Sequence, residues 1–458
     1  MVLERRSVPT SYRKIKKKEF QGTMFEQQDH LSTTVEDERQ HLIMDHENNK
    51  TNHTGISEWE AGVSLAKAIM GAGSFALPWA FLNMGYVIGP TFMTLLMFLS
   101  VYSLKLLVKS SRSLRERKQT TYVDVARTIF GNRGAQLTYV ASISASMGVC
   151  GSYLLFIAAN LQSLFVEPDE ETTSMSQGST VIFILPFAVA LSSVRDMKRF
   201  AFASLLGDVS VVLGMLVVLI YGLVYQSSNF GKDSTAFGSL ETMPLAFGAI
   251  GYLFLIHFLV LPIESSMANP ENFQMVATKT FTACAILSGS FGVIGYLIFG
   301  SETEQIVLLN VQGSIFVSAV KLLLCADLLL TYPVVMRPSI VIVEQSLSST
   351  LFPSIEHQET AWSIHLLTCL LLGLVAAGAA TLVPAFGLLS GLVGGVSQTF
   401  LAFVLPPFMV LAKKRMQQST NNVEFLKSCR REILLLLFGF MLIIWTLNST
   451  WKELNKDD

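Results

Sequence analysis

The apolar residues of this chain are gathered into long runs, each near the roughly 17–25 residues a helix needs to cross a hydrocarbon core. They fall at about 59–83, 85–108, 135–166, 179–194, 200–225, 242–264, 277–299, 313–336, 363–383, 385–411 and 432–448. Eleven such segments leave little room for a water-soluble fold. Composition agrees: 51% of the 458 residues are hydrophobic, 15% are charged, and the mean hydropathy is +0.49. A soluble protein of this size carries more charge to cover its surface. The chain therefore reads as an all-α polytopic membrane protein with eleven transmembrane helices over residues 58–449. A polar N-terminal tail (1–57) has a disorder-like composition, and residues 450–458 form a short C-terminal tail. No secretory signal precedes the first span, so that span serves as its own insertion signal. The five cysteines (Cys150, Cys284, Cys325, Cys369, Cys429) show no metal-finger spacing, and four lie inside apolar runs as small packing residues.

Charge in the connections sets the expected orientation. Numbering the runs as spans 1–11, the 2–3, 4–5, 6–7, 8–9 and 10–11 connections and their flanks carry eighteen Lys and Arg, while the opposite connections carry Lys232 alone among several acidic residues. The positive-inside rule then puts the N-terminal tail in the cytoplasm and, with an odd span count, the C-terminus in a lumen or outside the cell. Within the 2–3 connection, Tyr122–Phe130 followed by Gly131 has the spacing of a short amphipathic helix on the basic face.

Span 1 contains Gly71-Ala72-Gly73-Ser74 followed by Pro78, a poor helix centre. Backbone that unwinds at membrane depth is tolerated only where it lines a cavity or is buried in protein. In inverted-repeat transporters such breaks hold substrate and ion, with half-helix N-termini facing anionic groups. The competing reading is that Gly71 and Gly73 are a small-residue packing surface. If spans 1–5 and 6–10 are repeats, span 6 should break too. It has Gly248, Gly251, a mid-span His257 and Pro262.

These residues resemble a known family. The run Gly71-Ala-Gly-Ser-Phe-Ala-Leu-Pro-Trp-Ala-Phe81 is similar to the first-span signature of the amino acid/auxin permease family. His257-Phe-Leu-Val-Leu-Pro-Ile263 resembles its sixth-span segment in the sodium-coupled neutral and vesicular inhibitory branches. Leu330-Thr-Tyr-Pro333, Leu389-Ser-Gly-Leu-Val-Gly394 and Leu405-Pro406 resemble it as well. The resemblance implies a leucine-transporter-like 5+5 inverted repeat plus one helix, with spans 1 and 6 discontinuous. It also implies amino acid transport, of neutral substrates in vacuolar or lysosomal-type members, driven by H⁺ or Na⁺. The Glu-Gly pair usual in span 6 of the proton-coupled branch is absent; Leu255 and Ile256 stand near there.

Under that resemblance Gly71, Ala72, Gly73, Ser74 and Phe75 are expected at the substrate, with carboxylate on backbone N–H groups and amine on carbonyls near the breaks. Tyr153 or Phe254 is expected to gate the cavity, and His257 to lie beside it. Ionisable groups at membrane depth are costly and each is a candidate. His257 is either a proton or carboxylate partner or a hydrogen-bonded core residue. Asp327, with Thr331 one turn on, could bind a coupling ion or form a structural ion pair. Lys67 could pair with Asp327 in place of a bound cation, or snorkel to the interface. Glu264 is expected at a solvated helix terminus. H⁺ is favoured over Na⁺ as the coupling ion, with no other cofactor.

No P-loop, HExxH or GxSxG stands in a plausible context and the loops are short, so neither an enzyme nor an ATP-driven pump is expected, nor a nucleic-acid partner. A nutrient sensor with little flux, signalling through the tail, is the alternative. Glu38-Arg-Gln-His-Leu42-Ile43 fits an acidic dileucine signal and Tyr12-Arg-Lys-Ile15 a tyrosine-based one. Sorting adaptors reading them would direct the protein to a vacuole, lysosome or endosome rather than the plasma membrane. Replacing Leu42 and Ile43 with alanine is expected to move a fluorescently tagged chain to the cell surface, scored by microscopy.

Overall fold

The structure, a computed structural model, describes residues 55–113, 121–165, 176–195, 198–226, 230–239, 241–311, 314–351, 362–417 and 422–455. The unit described below begins at Ser57. The tail and its two sorting patterns lie outside the described residues.

Span 1 opens on a reciprocal cap. The Ser57 hydroxyl accepts from the Glu60 N–H, and the Glu60 carboxylate accepts from the Ser57 N–H. Helix α1 (Glu58–Ile69) stops at Met70, and a 3₁₀ turn (Ala72–Ala76) leads into α2 (Leu77–Met84). Pro78 sits in the first turn of α2, where its missing N–H removes no helical hydrogen bond. The two halves bend by 44°.

The remaining helices are α3 (Ile88–Arg112), α4 (Tyr122–Phe165), α5 (Gln177–Ser192), α6 (Lys198–Tyr225), α7 (Met243–Phe254), α8 (His257–Ser266), α9 (Phe273–Phe299), α10 (Ile315–Leu351), α11 (Trp362–Leu382), α12 (Phe386–Leu392), α13 (Leu405–Gln417), α14 (Asn422–Ser428) and α15 (Arg430–Leu454). Among the described residues eight helices are long and apolar enough to cross a membrane, and the bent pair in span 1 makes a ninth. The shorter apolar helices Gln177–Ser192 and Val209–Tyr225 complete the segments read from the sequence. Large apolar side chains such as Phe98, Phe183, Ile220 and Ile444 are exposed on the outside, a surface a bilayer would cover.

Several boundaries differ from the sequence reading, each for a local reason. The amphipathic segment joins span 3 through Gly131, whose φ of 71° and ψ of −162° suit a residue without Cβ. Helix α10 runs well past residue 336 with Pro333 and Pro338 inside it. Helix α15 continues to Leu454, so residues 450–454 belong to the last helix. Span 10 is not a plain α-helix: after α12 it widens into π-helix at Val393–Gln398 and Phe400–Val404 before α13.

The end of the bundle opposite the basic connections is tightly closed. Tyr86 and Val87 donate backbone N–H groups to the carbonyls of Thr235 and Ala236, and Gly238 donates to Met84. Gly85 (φ 85°) is required in this staple, since a Cβ there would lie 2.4 Å from the Ala236 carbonyl oxygen. Helix α7 packs on span 10 backbone to backbone. A Cβ on Gly248 would fall 1.9 Å from the Gly391 oxygen, and one on Gly394 2.0 Å from the Gly248 oxygen. The Gly387 N–H donates to Gln305 Oε1 at 2.8 Å. Small residues permit this approach where water-driven burial is absent. Gly394→Val is expected to wedge α7 from span 10. The check is maleimide labelling of Ser390→Cys, a buried position expected to be unreactive in the parent and reactive in the Gly394→Val background.

Candidate functional site

Two helix breaks face one another across the bundle. In span 1, Gly71 is extended (φ −153°, ψ −150°) and the 3₁₀ turn that follows leads with the N–H groups of Ala72 and Gly73. The first N–H groups of a helix lack an intrahelical acceptor. The Ser74 N–H is already bonded to the Gly71 carbonyl at 3.0 Å. In span 6, α7 ends at Phe254, Leu255 and Ile256 are non-helical, and α8 starts at His257. The Phe254 carbonyl freed by this break accepts from Ser100 Oγ of α3 at 2.7 Å.

A cavity of about 1150 Å³ runs from the basic end of the bundle to these breaks. Asp124, Arg127 and Arg337 line its outer part, and Gly71, Ala72, Gly73, Tyr153, Tyr252 and Gln398 its buried tip. A Cβ on Gly71 would lie 3.8 Å from Tyr153 Oη, and one on Gly73 2.7 Å from Tyr252 Cδ1. The open backbone of span 1 is thus held between two tyrosines. Drug-sized ligand cavities run to about 300–1,000 Å³, so this space is large enough for a small organic molecule.

On the cavity flank, Lys67 Nζ lies 3.3 Å from Asp327 Oδ1, and Thr331 Oγ1 donates to the same oxygen at 3.3 Å. Lys67 therefore pairs with Asp327 rather than snorkelling. The pair is seated on Gly207 of α6, where a Cβ would fall 1.8 Å from Asp327 Oδ1 and 2.8 Å from Lys67 Nζ. Three spans meet at one part-buried charge pair.

The structure separates the residues singled out from sequence into two sets. Gly71, Ala72, Gly73, Tyr153, Lys67 and Thr331 line the cavity; Ser74, Phe75, Phe254, His257 and Asp327 do not. Phe75 is a core residue, 5.7 Å from the Phe156 ring and 6.0 Å from the Phe291 ring between centroids. Phe254 packs on Phe281 at 6.1 Å between ring centroids and is outside the cavity lining. His257 is fully buried against the Ser100 backbone of α3. The reason is helical phase. Residues 257, 260 and 264 share the buried face of α8, whereas Phe258, Leu259, Leu261 and Pro262 line the cavity. Glu264 is likewise not a solvated terminus: it is buried and bonded by Arg112 Nε at 3.0 Å, with Arg112 also donating to the Pro270 carbonyl. Sequence reasoning missed Tyr252 and Gln398, although an uncharged amide in the middle of an apolar span is a visible signal. It also missed Lys321, which is buried and donates to Ser163 Oγ at 3.0 Å.

Comparison with known proteins accounts for this arrangement. The family described as "Transmembrane amino acid transporter protein" matches residues 54–451. The chain belongs to that family. It is 29% identical over 411 residues to "Amino acid transporter AVT3B" of Arabidopsis thaliana, covering 87% of this chain and 94% of the relative. "Amino acid transporter ANT1" of the same plant is 28% identical over 82% of this chain and 89% of its own length. "Vacuolar amino acid transporter 3" of Schizosaccharomyces pombe is 26% identical over 69% of this chain and 48% of its own length. Among solved structures, a Na⁺-coupled sialic acid symporter in a substrate-bound outward-open state superposes with a TM-score of 0.54, at 12% identity, over 86% of this chain and 89% of that one. That likeness establishes the leucine-transporter-like fold, with discontinuous spans 1 and 6.

Removing one partner of a buried ion pair costs about 3–5 kcal/mol, whereas replacing both with apolar groups is often neutral. Asp327→Leu or Lys67→Met alone is expected to lower the melting temperature in detergent strongly, and the double variant to recover most of it. Additive losses, with the double variant falling by the sum of the two single ones, would show that the pair has no energetic coupling.

Proposed function

We propose that this protein is a proton-coupled transporter of neutral amino acids in a vacuolar membrane, working by alternating access. One observation carries the reading. The cavity opens at one end of the bundle, is shut at the other by backbone-to-backbone glycine contacts, and ends on the broken backbone of span 1. That is the geometry of a site exposed to one side at a time. The positive-inside rule favours the basic end as the cytoplasmic one, so this conformation is read as inward-open with the N-terminal tail in the cytoplasm. The vacuolar location is favoured by the name of the Schizosaccharomyces pombe relative.

At the cavity tip the N–H groups of Ala72 and Gly73 lead the Ala72–Met84 half of span 1, a partial positive charge suited to a substrate carboxylate. Carbonyls left over at the end of α1 suit the α-ammonium. Lys67, the charged residue on the described inner wall, is held by Asp327. The wall therefore offers no spare charge to an acidic or basic side chain, which favours neutral substrates.

The same pair supports coupling to H⁺ over Na⁺. A lysine ammonium occupies the oxygen that a bound sodium ion would need, so Asp327 changes charge by taking up a proton instead. Protonation would release Lys67 and Thr331 and loosen α1 from α10, coupling the cavity to the ion gradient. His257, turned from the cavity, has no part in this route.

In proteoliposomes, uptake of labelled neutral amino acids is expected to follow an imposed pH gradient and to be indifferent to Na⁺. The Lys67→Met/Asp327→Leu variant should bind substrate yet fail to accumulate it. A Na⁺ requirement would overturn the proton assignment, and no uptake across a broad amino acid panel would overturn transport itself.

A further inference from the structure

The cavity tip carries two polar groups that the backbone site does not use. Gln398 is only 1% exposed and its Oε1 has no hydrogen-bond partner; the Tyr252 hydroxyl is buried beside Ser152. Both residues line the cavity. They are brought together by the tight packing of span 6 on span 10: a Cβ on Gly394 would lie 2.4 Å from the Tyr252 nitrogen, and Gln398 follows Gly394 by about one turn of the π-helix. The widened turn also redirects hydrogen bonds, since Thr399 Oγ1 bonds back to the Gly394 carbonyl five residues earlier, at 2.7 Å. Such π segments occur often at functional sites.

A buried polar atom without a partner is costly, so the orphaned Gln398 oxygen in a cavity wall, with a phenol in the same wall, points to a ligand that completes it. An amide presents either an acceptor or a donor, and a phenol presents both. Their complement is an uncharged group with the same capacity. The charged carboxylate and ammonium of an amino acid are matched instead by the backbone at Gly71–Gly73. Val149, Ile256 and Leu259 supply apolar wall around the pair.

We infer that Gln398 and Tyr252 form a side-chain subsite selecting amino acids that bear an amide or hydroxyl over aliphatic ones of the same size. The inference rests on the transport reading above and narrows its substrate class. A site built to hydrogen-bond a substrate rejects the analogue lacking that group, because its own buried groups are then left unpaired.

The test compares near-isosteres in proteoliposomes: labelled glutamine against methionine, and asparagine against leucine, for the parent chain, Gln398→Leu and Tyr252→Phe. The parent is expected to favour the amide substrate at least about tenfold in each pair. Gln398→Leu is expected to abolish or invert that ratio, and Tyr252→Phe to reduce it. Competition by unlabelled glutamine and methionine in the parent alone decides the matter if a variant fails to fold. Equal uptake of both members of each pair by the parent would overturn the subsite, with transport intact. So would an equal loss of all four substrates in Gln398→Leu, which would place Gln398 on the common α-ammonium. Uptake of none of the four, but of other amino acids, would also overturn it; uptake of no amino acid at all would instead remove the transport reading on which it rests.

Discussion

Backbone that leaves the helix at membrane depth must find partners for its N–H and C=O groups, and the architecture is organised around meeting that demand at two places. At span 6 the demand is met by protein: Ser100 of α3 donates to the Phe254 carbonyl, and the residues around it are fully buried. At span 1 it is met only in part. The 3₁₀ turn uses the Ser74 N–H, while the groups ahead of it face a cavity. The asymmetry explains why one break behaves as a packed joint and the other as an open site. It also explains why a short Gly-Ala-Gly stretch stands there. Larger residues at Gly73 would collide with Tyr252 and Leu253.

Span 10 supplies the counterpart. Its π-helical stretch frees carbonyls as well, and neighbours take them up: Ser103 of α3 donates to the Ala402 carbonyl and Tyr122 to the Leu401 carbonyl. The segment before span 3 is thereby bonded to span 10 beside the cavity, with Phe130 stacked on Phe408 at 4.8 Å. The wall that shapes the cavity and the wall that closes its far end are the same helix, read at different heights. Glycines at 391 and 394 bring it against α7, and one turn later Gln398 faces the space left open.

Much of the fold was legible because a membrane restricts the choices so strongly. Run length set the spans, and Gly71–Ser74 with Pro78 marked the break in span 1. The pairing of Lys67 with Asp327 was also readable as one of two options, since two opposite charges in apolar spans need each other. The differences between expectation and structure along span 6 share one cause. His257, Phe254 and Glu264 were assigned from their position along span 6, but which face of a short half-helix meets the cavity depends on its rotation. That rotation is decided by what α3 offers, namely Ser100 and Arg112. Gln398 was overlooked because its register depends on the extra residue per turn of a π-helix, which a period of 3.6 misplaces.

The amino-acid sequence by itself determined that this chain spans a membrane many times, where its first span breaks, and which family it resembles. These follow from local quantities: hydropathy over a span's length, and the poor helix-forming power of Gly-Ala-Gly-Ser before a proline. The tertiary structure alone decided which end of the bundle is open, which charges neutralise one another between spans 1 and 8, and which polar groups line the cavity tip. Those are properties of distances between segments far apart in the chain. A half-helix turned by a third of a rotation would have kept every local signal and exchanged the residues that line the site.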